Sequence, residues 1–573
     1  MSLFARTLKR MGPAGVLFVL ALVVLVFMPF VTLLLGSFKS TPFGAWTFTL
    51  DGFSNVFGSL KTYEALGISI FYSVAVLVLA ILFGLGFAFA TARSRAPLVR
   101  LLLPAMVVVA AIPRLFFGLS WGMIGNPRTG LIASWLREVG VMMPDWMTAY
   151  SIGGLVFVTT LKVTAVAYLL LLGPVMQLDR GLEDAAVMSG VSRARAVRLI
   201  SIPMLTPALL AIAMLMFVEG IQVYDFPALL ISPAGYETLS TSVDAYLNKE
   251  ITPQWSSASA LSLIVMVVIA GLLVVQSRMT RGREFTSIVG KSRQAPSTTK
   301  QRGELLVTLA IVLYLALALV LPLAQMVIGS LQPYFGMYGT YTLANYAAIL
   351  SDGGQVKILL TTLVIASVGG VAVVALAFVM ACIMNRSRIG FLTGVVKVAS
   401  WVPATAPGIV LSLAFVWTFT GMPGLRALYG TNTLLFIALV VAHLPLAVRA
   451  CEGILAQVST DLEDAARISA ASPATVVMKI TARLSAPSLA AAWVLVSLAI
   501  AGALDVPLLL QSTSSQTVST YAFSLYANGE VAQAAAFFLA YLVLFTGLTA
   551  VLALFALAQR MIRRQAGIVP AAA

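Results

Sequence analysis

The chain has 573 residues, of which 60% are hydrophobic and only 10% charged, and its formal net charge is +15. A soluble chain of this length cannot hide that much apolar surface, so the composition excludes an ordinary globular enzyme and points to an integral membrane protein. The positive excess then reads first as membrane topology, and nucleic-acid binding is a poor account of it.

Taken in order, the chain opens with Arg6, Lys9 and Arg10 ahead of an apolar run that reaches Phe38 without a small-residue cleavage site. That run is too long for a signal-peptide core and reads as a retained first span. Segments of about 20 apolar residues, long enough to cross a bilayer, then recur to give about twelve spans. In the first half they fall near Gly15–Gly36, Ser69–Thr91, Leu101–Ile124 (broken by Pro113), Ile152–Met176, Met204–Leu230 and Ala258–Val275. A basic stretch from Arg278 to Arg302 follows and reads as a cytoplasmic linker. The second set falls near Leu305–Gly329, Leu359–Met384, Val395–Phe419, Leu434–Leu455, Ser485–Leu510 and Val531–Leu557. The clusters Arg93/Arg95/Arg100, Arg180/Arg193/Arg195/Arg198, Arg386/Arg388 and Arg560/Arg563/Arg564 all fall on one side of this count. By the positive-inside rule that side is the cytoplasm, and both termini share it.

The two sets repeat each other. Arg93-Ser94-Arg95 matches Arg386-Ser387-Arg388, Asp225-x-Pro227 matches Asp505-x-Pro507, and Ser240-Thr241 matches Ser519-Thr520. Segment order is the same throughout, and an even number of spans per half makes this a parallel repeat. The expected fold is all-α and integral to the membrane, with two homologous six-helix halves about a pseudo-twofold axis. The halves are residues 1–277 and 304–573, joined by the linker 278–303.

A short polar stretch interrupts each half at the same place. The first copy is Leu182-Glu183-Asp184-Ala185-Ala186 followed by Gly190, within a loop of about 177–203; the second is Leu462-Glu463-Asp464-Ala465-Ala466 followed by Ala470, within about 458–484. Glu-Asp-Ala-Ala favours helix, Gly190 releases it, and Ser192 suits the start of the next helix. A membrane protein has little reason to repeat a polar helical loop unless something in water holds it twice.

Other features carry less. Gly290-Lys291-Ser292 imitates the end of a phosphate-binding loop, but that loop needs a Gly where Phe285 stands, between a strand and a helix, so a nucleotide site is rejected. Cys382 and Cys451 lie far apart in apolar segments and suggest neither a disulfide nor a metal site. The single His443 reads as packed or water-facing, and Lys162, midway along its span, has no evident role. Carboxylates beside spans are costly and point to function. Glu219, Tyr224 and Asp225 are therefore candidates to line a pathway with Asp505 opposite, while both Asp residues also suit the end of a span at a Pro.

The doubled polar stretch resembles the Glu-Ala-Ala loop of the membrane subunits of binding-protein-dependent ABC importers. The family form runs acidic-Ala-Ala, three residues, Gly, nine residues, Ile, one residue, Leu-Pro. Asp184-Ala185-Ala186, Gly190, Ile200 and Ile202-Pro203 fit it with one conservative change. In the second copy Asp464-Ala465-Ala466 and Ile480 fit, Ala470 takes the Gly position and Ala482-Arg483 replaces Leu-Pro. The fused halves and the linker are most similar to permeases of the ferric-iron type.

The resemblance implies a MetI-like permease fold, in a non-enzymatic transport subunit of the bacterial inner membrane that binds no cofactor itself. The ATP and Mg would sit in two cytoplasmic ABC ATPase subunits, a homodimer, that hold the two polar loops. Glu183 and Glu463 would lie near the ATPase surface, and an external or periplasmic binding protein would deliver the solute. Ferric iron is the substrate the resemblance favours, with phosphonates, polyamines and thiamine as alternatives in the same class. A twelve-span secondary transporter also fits the span count and the repeat, but not the two polar loops.

Overall fold

A computed structural model describes residues 15–43, 47–280, 303–387, 389–422, 424–472, 475–512 and 515–565. Arg6, Lys9, Arg10, Arg388 and nearly all of the basic linker, Gly290-Lys291-Ser292 included, lie outside them. The described chain is helical, with a single isolated β-bridge between Lys39 and Phe48.

Ten of its helices are long and apolar enough to cross a membrane, and two bent helix pairs bring the number to twelve if each pair is one span. In chain order, the first half contributes α1 (Gly15–Gly36), α2 (Leu60–Arg93), the bent pair α3 (Val99–Ala111) and α4 (Arg114–Ile124), and α5 (Ile152–Met176). A loop helix α6 (Arg180–Met188) leads to α7 (Ile202–Gln222), the short helices α8 (Asp225–Leu230) and α9 (Leu239–Asn248), and α10 (Trp255–Thr280). The second half repeats the order: α11 (Glu304–Ser330), α12 (Gly353–Arg386), the bent pair α13 (Gly390–Thr405) and α14 (Gly408–Gly421), and α15 (Asn432–Leu455). Its loop helix α16 (Thr460–Ile468) precedes α17 (Val476–Gly502), α18 (Asp505–Leu510), α19 (Val518–Ala527) and α20 (Val531–Gln565).

The two bends have one cause. Proline lacks an N–H and pushes the residue before it out of the helical region. Ile112 (ψ 129°) precedes Pro113 and Ala406 (ψ 134°) precedes Pro407, and the paired axes turn by 95° and 110°. Pro113 marks the expected break; Pro407 adds a second at the matching place in the other half.

The chain divides into two compact units, and they cut across the sequence repeat. The first is Met1–Gln325 with Val398–Tyr429 and Leu504–Leu510; the second is Met326–Lys397 with Gly430–Ala503 and Gln511–Ala573. The first unit thus holds α14 and α18, elements of the second sequence half. Within it, α1 packs on α14, where Thr32 Oγ1 and Thr418 Oγ1 are 2.6 Å apart. The centre of the unit is α2 against α5 and α7. There Tyr72 donates to Thr159 Oγ1 (3.0 Å), and a Cβ on Gly84 would come within 2.7 Å of that of Ala167. Such small residues let helix backbones approach closely where lipid gives no hydrophobic drive.

In the second unit α12 plays the same part against α15 and α17. Trp493 Nε1 donates to the Ser367 carbonyl (2.9 Å), and Gly370 leaves room for Ser497. The repeated Ser-Thr pairs also find their use here. Thr238/Thr241 and Thr517/Thr520 form capping boxes at the starts of α9 and α19. Ser240 donates to the Val223 carbonyl (2.6 Å) and Ser519 to the Ala503 carbonyl (2.5 Å), fastening each short helix to the end of the span before it.

Candidate functional site: two loop helices and an acidic corner

The loop helix α6 starts at Asp179, whose carboxylate accepts from the Gly181 N–H (2.8 Å). It ends in a left-handed turn at Gly190 (φ 88°), with the Val191 N–H donating to the Ala186 carbonyl (3.1 Å), the pattern of a Schellman cap. In the second loop Ala470 takes that same turn (φ 59°), and the Ala471 N–H donates to the Ala466 carbonyl (3.0 Å). Replacing Gly by Ala therefore leaves the turn in place, at a conformational cost of about 1 kcal/mol.

Glu183 and Glu463 do not face outward. They are 2% and 3% exposed. Glu183 pairs with Arg93 at the end of α2 (2.5 Å) and accepts from the Ser201 hydroxyl; Glu463 pairs with Arg386 at the end of α12 (3.1 Å) and accepts from Thr481 Oγ1 (3.1 Å). The sequence placed these two carboxylates near a partner's surface; within this chain a half-buried Arg draws each inward, so the faces open to a partner belong to their neighbours. Among the residues left outside are Leu182, Asp184, Val187 and Met188 on α6, and Leu462, Asp464 and Ile468 on α16, with Met188 90% and Ile468 88% exposed. Asp184 makes a surface pair with Arg193 (3.3 Å). Ala185 is exposed and Ala186 half-buried, as are Ala465 and Ala466, so both pairs are spacers on the rod. Beside them, burial and then the charges of Arg93 and Arg193 push the Arg180 guanidinium below its ordinary value.

The second region lies in the first unit, where the break in the α3–α4 pair meets the turn between α7 and α8. Arg114, the first residue of α4, forms an ion pair with Glu219 near the end of α7. Asp225, first in α8, is 5% exposed, and its Oδ1 has no hydrogen-bond partner. Asp505, first in α18, accepts from the Val506 N–H (2.8 Å) and lies so close to Gly408 that a Cβ there would collide with the carboxylate. Asp225 and Asp505 lie within electrostatic reach of each other and of Arg114. Ser412 on α14 fixes α18 by donating to the Val506 carbonyl (2.9 Å), and Gln222 donates to the Ala404 carbonyl (2.7 Å) at the other break. The structure therefore brings Glu219, Asp225 and Asp505 together. Tyr224 adjoins them but commits its hydroxyl to Asp244 (2.9 Å).

Arg114 is the residue missed in the sequence. It looked like one more position in a span, yet it follows a helix-breaking proline, where a side chain escapes the lipid face. Lys162 gains an account too. Its Nζ donates to the carbonyls of Val109, Ala110 (3.0 Å) and Ile112, which α3 leaves unpaired where it breaks. His443 donates from Nδ1 to the Leu439 carbonyl one turn back (2.9 Å), in keeping with a packed histidine. Among the described residues no three His, Cys, Asp or Glu side chains close into a metal cage.

Residues 80–282 and 373–563 each match the family described as binding-protein-dependent transport system inner membrane component. The ferric transport system permease protein FbpB of Actinobacillus pleuropneumoniae is 22% identical over 463 residues, covering 78% of this chain and 64% of that protein. A putative ferric transport system permease of Haemophilus influenzae is 22% identical over 458 residues, covering 78% and 70%. The trehalose/maltose transport system permease MalF of Thermococcus litoralis is 25% identical over 185 residues, covering 32% and 62%. With the family's domain present twice over more than half of its length, the chain belongs to the binding-protein-dependent ABC importer permeases, as a fused form carrying two of their membrane domains.

Proposed function

We propose that this permease is the translocation subunit of an ATP-driven importer and that α6 and α16 each dock on a cytoplasmic ATPase chain. The observation that carries the reading is that two loops of different sequence share one construction. Each has a short helix with an exposed apolar tip, a left-handed turn, and a buried Glu that ties it to the end of a long span. That tie is what coupling needs. A push on α6 passes through Glu183 and Arg93 into α2, a 34-residue helix, without first bending a loop. ATP binding by the two ATPases would bias a two-state membrane core, and hydrolysis would reset it. An external binding protein would deliver the solute, and the corner of Glu219, Asp225 and Asp505 would line its route. Ferric iron is the proposed solute: relatives that share most of this chain carry that name, and carboxylates are the hard oxygen donors such an ion takes.

The test uses exposed residues, because reversing a buried Glu would collapse the loop itself. The chain is purified in detergent from its own host, with and without Met188→Asp and Ile468→Asp. Co-purification of an ATPase, lost in the double variant while the chain stays folded, is expected. An ATPase retained by the double variant, or uptake driven by an ion gradient with no ATPase, would sink the reading.

A further inference from the structure

Behind each loop helix the chain winds through one wide turn before its next span, a feature that docking alone does not require. In the first loop the Ile202 N–H donates to the carbonyl of Val197, five residues back; in the second the Ala482 N–H donates to that of Val477. These are π-turns, over Val197–Ser201 and Val476–Thr481, and each carries one residue beyond the α-helical count. Such turns are rare, and many stand at functional sites. Pro203 follows the first, but Arg483 stands in that place after the second, so this proline is not their cause.

The two turns share the residue at their end. Ser201 and Thr481 both lie 18 residues after the loop glutamate, both are buried, and both donate a hydroxyl to it: Ser201 to Glu183 Oε1 and Thr481 to Glu463 Oε1 (3.1 Å). In the family form they fill the one position left open between Ile and Leu-Pro. Drawn as an ordinary helix, the same segment would turn this hydroxyl by about 100° relative to the loop that carries the glutamate. The glutamate is thus a three-way joint. In the first unit it takes Arg93 from the end of α2 and Ser201 from the head of α7, and those spans pack on each other, with Gly220 leaving room for Ser73. In the second unit Arg386 of α12 and Thr481 of α17 meet on Glu463, and Gly370 leaves room for Ser497 farther along the same pair.

We infer that Ser201 and Thr481 are positioning residues for coupling: each, aimed by its π-turn, fastens the loop glutamate to the following span, so that a displacement of one loop helix moves a packed pair of spans together, α2 with α7 and α12 with α17. This rests on the docking of the two loop helices proposed above and adds a second route by which their motion enters the membrane. An arginine alone would swing one long span against its neighbour; the hydroxyl removes that freedom. A buried carboxylate also needs hydrogen bonds beyond its ion pair, and Ser201 and Thr481 supply them.

The test uses the full chain with its co-purified ATPase in nanodiscs, and hydrogen exchange read by mass spectrometry before and after trapping with ATP and vanadate. In the parent, trapping is expected to change exchange both in the last turn of α2 and in the first turns of α7. Ser201→Ala should lose the response at the head of α7 while α2 keeps its own and the ATPase still co-purifies; Ser201→Thr should keep both responses. In the second loop Thr481→Val, which holds the shape and removes the hydroxyl, should lose the response at the head of α17, and Thr481→Ser should keep it. A parent response confined to α2, an α7 response that survives Ser201→Ala, or a loss that Ser201→Thr shares would overturn the inference. So would equal loss at α2 and α7, the mark of a loop that has merely come apart. The docking reading fails at an earlier step, if no ATPase accompanies the parent chain, and the inference then falls with it.

Discussion

The two sequence halves build the same corner with different chemistry. Each has a proline that breaks a span, a helix starting just after it, and an Asp-x-Pro that opens a short helix after the second long span that follows. In the first half this frame carries Arg114, Lys162 and Glu219; at the matching places the second half has Gly408, Ala442 and Ala499. The frame is shared because backbone geometry fixes it: proline at the break, and capping boxes fastening the short helices. Arg114, Lys162 and Glu219 are confined to the first copy, whereas the Asp of Asp-x-Pro recurs in both, so two like halves carry unequal charge on one frame. The loops show the converse. There the charged members, Glu183 with Arg93 and Glu463 with Arg386, recur in both copies, while the turn residue drifts from Gly to Ala.

Four groups of substitutions break or sharpen that comparison. Arg93→Ala has the largest expected effect. It strands a buried carboxylate and should cost about 3 kcal/mol, read as a lower melting temperature in detergent; Arg386→Ala should match it if the loops are equivalent. Lys162→Met comes next, leaving the carbonyls of Val109, Ala110 and Ile112 without their donor, for about 2 kcal/mol by the same measurement. Ala442→Ser, at the matching place, should change little, because no lysine bridges a break there. Gly408→Ala should displace the Asp505 carboxylate, costing about 1–2 kcal/mol by overpacking, read as a lower melting temperature in detergent. The smallest effect belongs to the turn. Ala470→Gly should stabilise the second loop by about 1 kcal/mol, and Gly190→Ala should weaken the first by a similar amount, followed by hydrogen exchange of the loop amides.

Much of this was legible in the chain. The twelve apolar segments, the doubled Glu-Asp-Ala-Ala and the doubled Asp-x-Pro are periodic or repeated, and repetition survives reading in one dimension. The direction of Glu183 was not read, although its partner was in plain view: the repeated Arg-Ser-Arg after span 2 and span 8 is what the repeated Glu pairs with. Lys162 stayed opaque for a different reason. Its partners are main-chain carbonyls at a helix break, and no residue type advertises a freed carbonyl. Arg114 was hidden by the opposite error, since a hydropathy run absorbs one charge without showing that the helix turns there by 95°.

The interleaving of the first compact unit has a consequence for synthesis. Asp225 leaves the ribosome long before Asp505, and the segments Val398–Tyr429 and Leu504–Leu510 that complete its unit come later still than the whole first repeat. At typical rates of about 5–20 residues per second, the gap between the two aspartates lasts roughly a quarter of a minute to a minute. For that interval the first half has Arg114, Glu219 and Asp225 but not the later segments of its compact unit. A first half produced alone would lack those segments, and covalent fusion delivers them on the same chain.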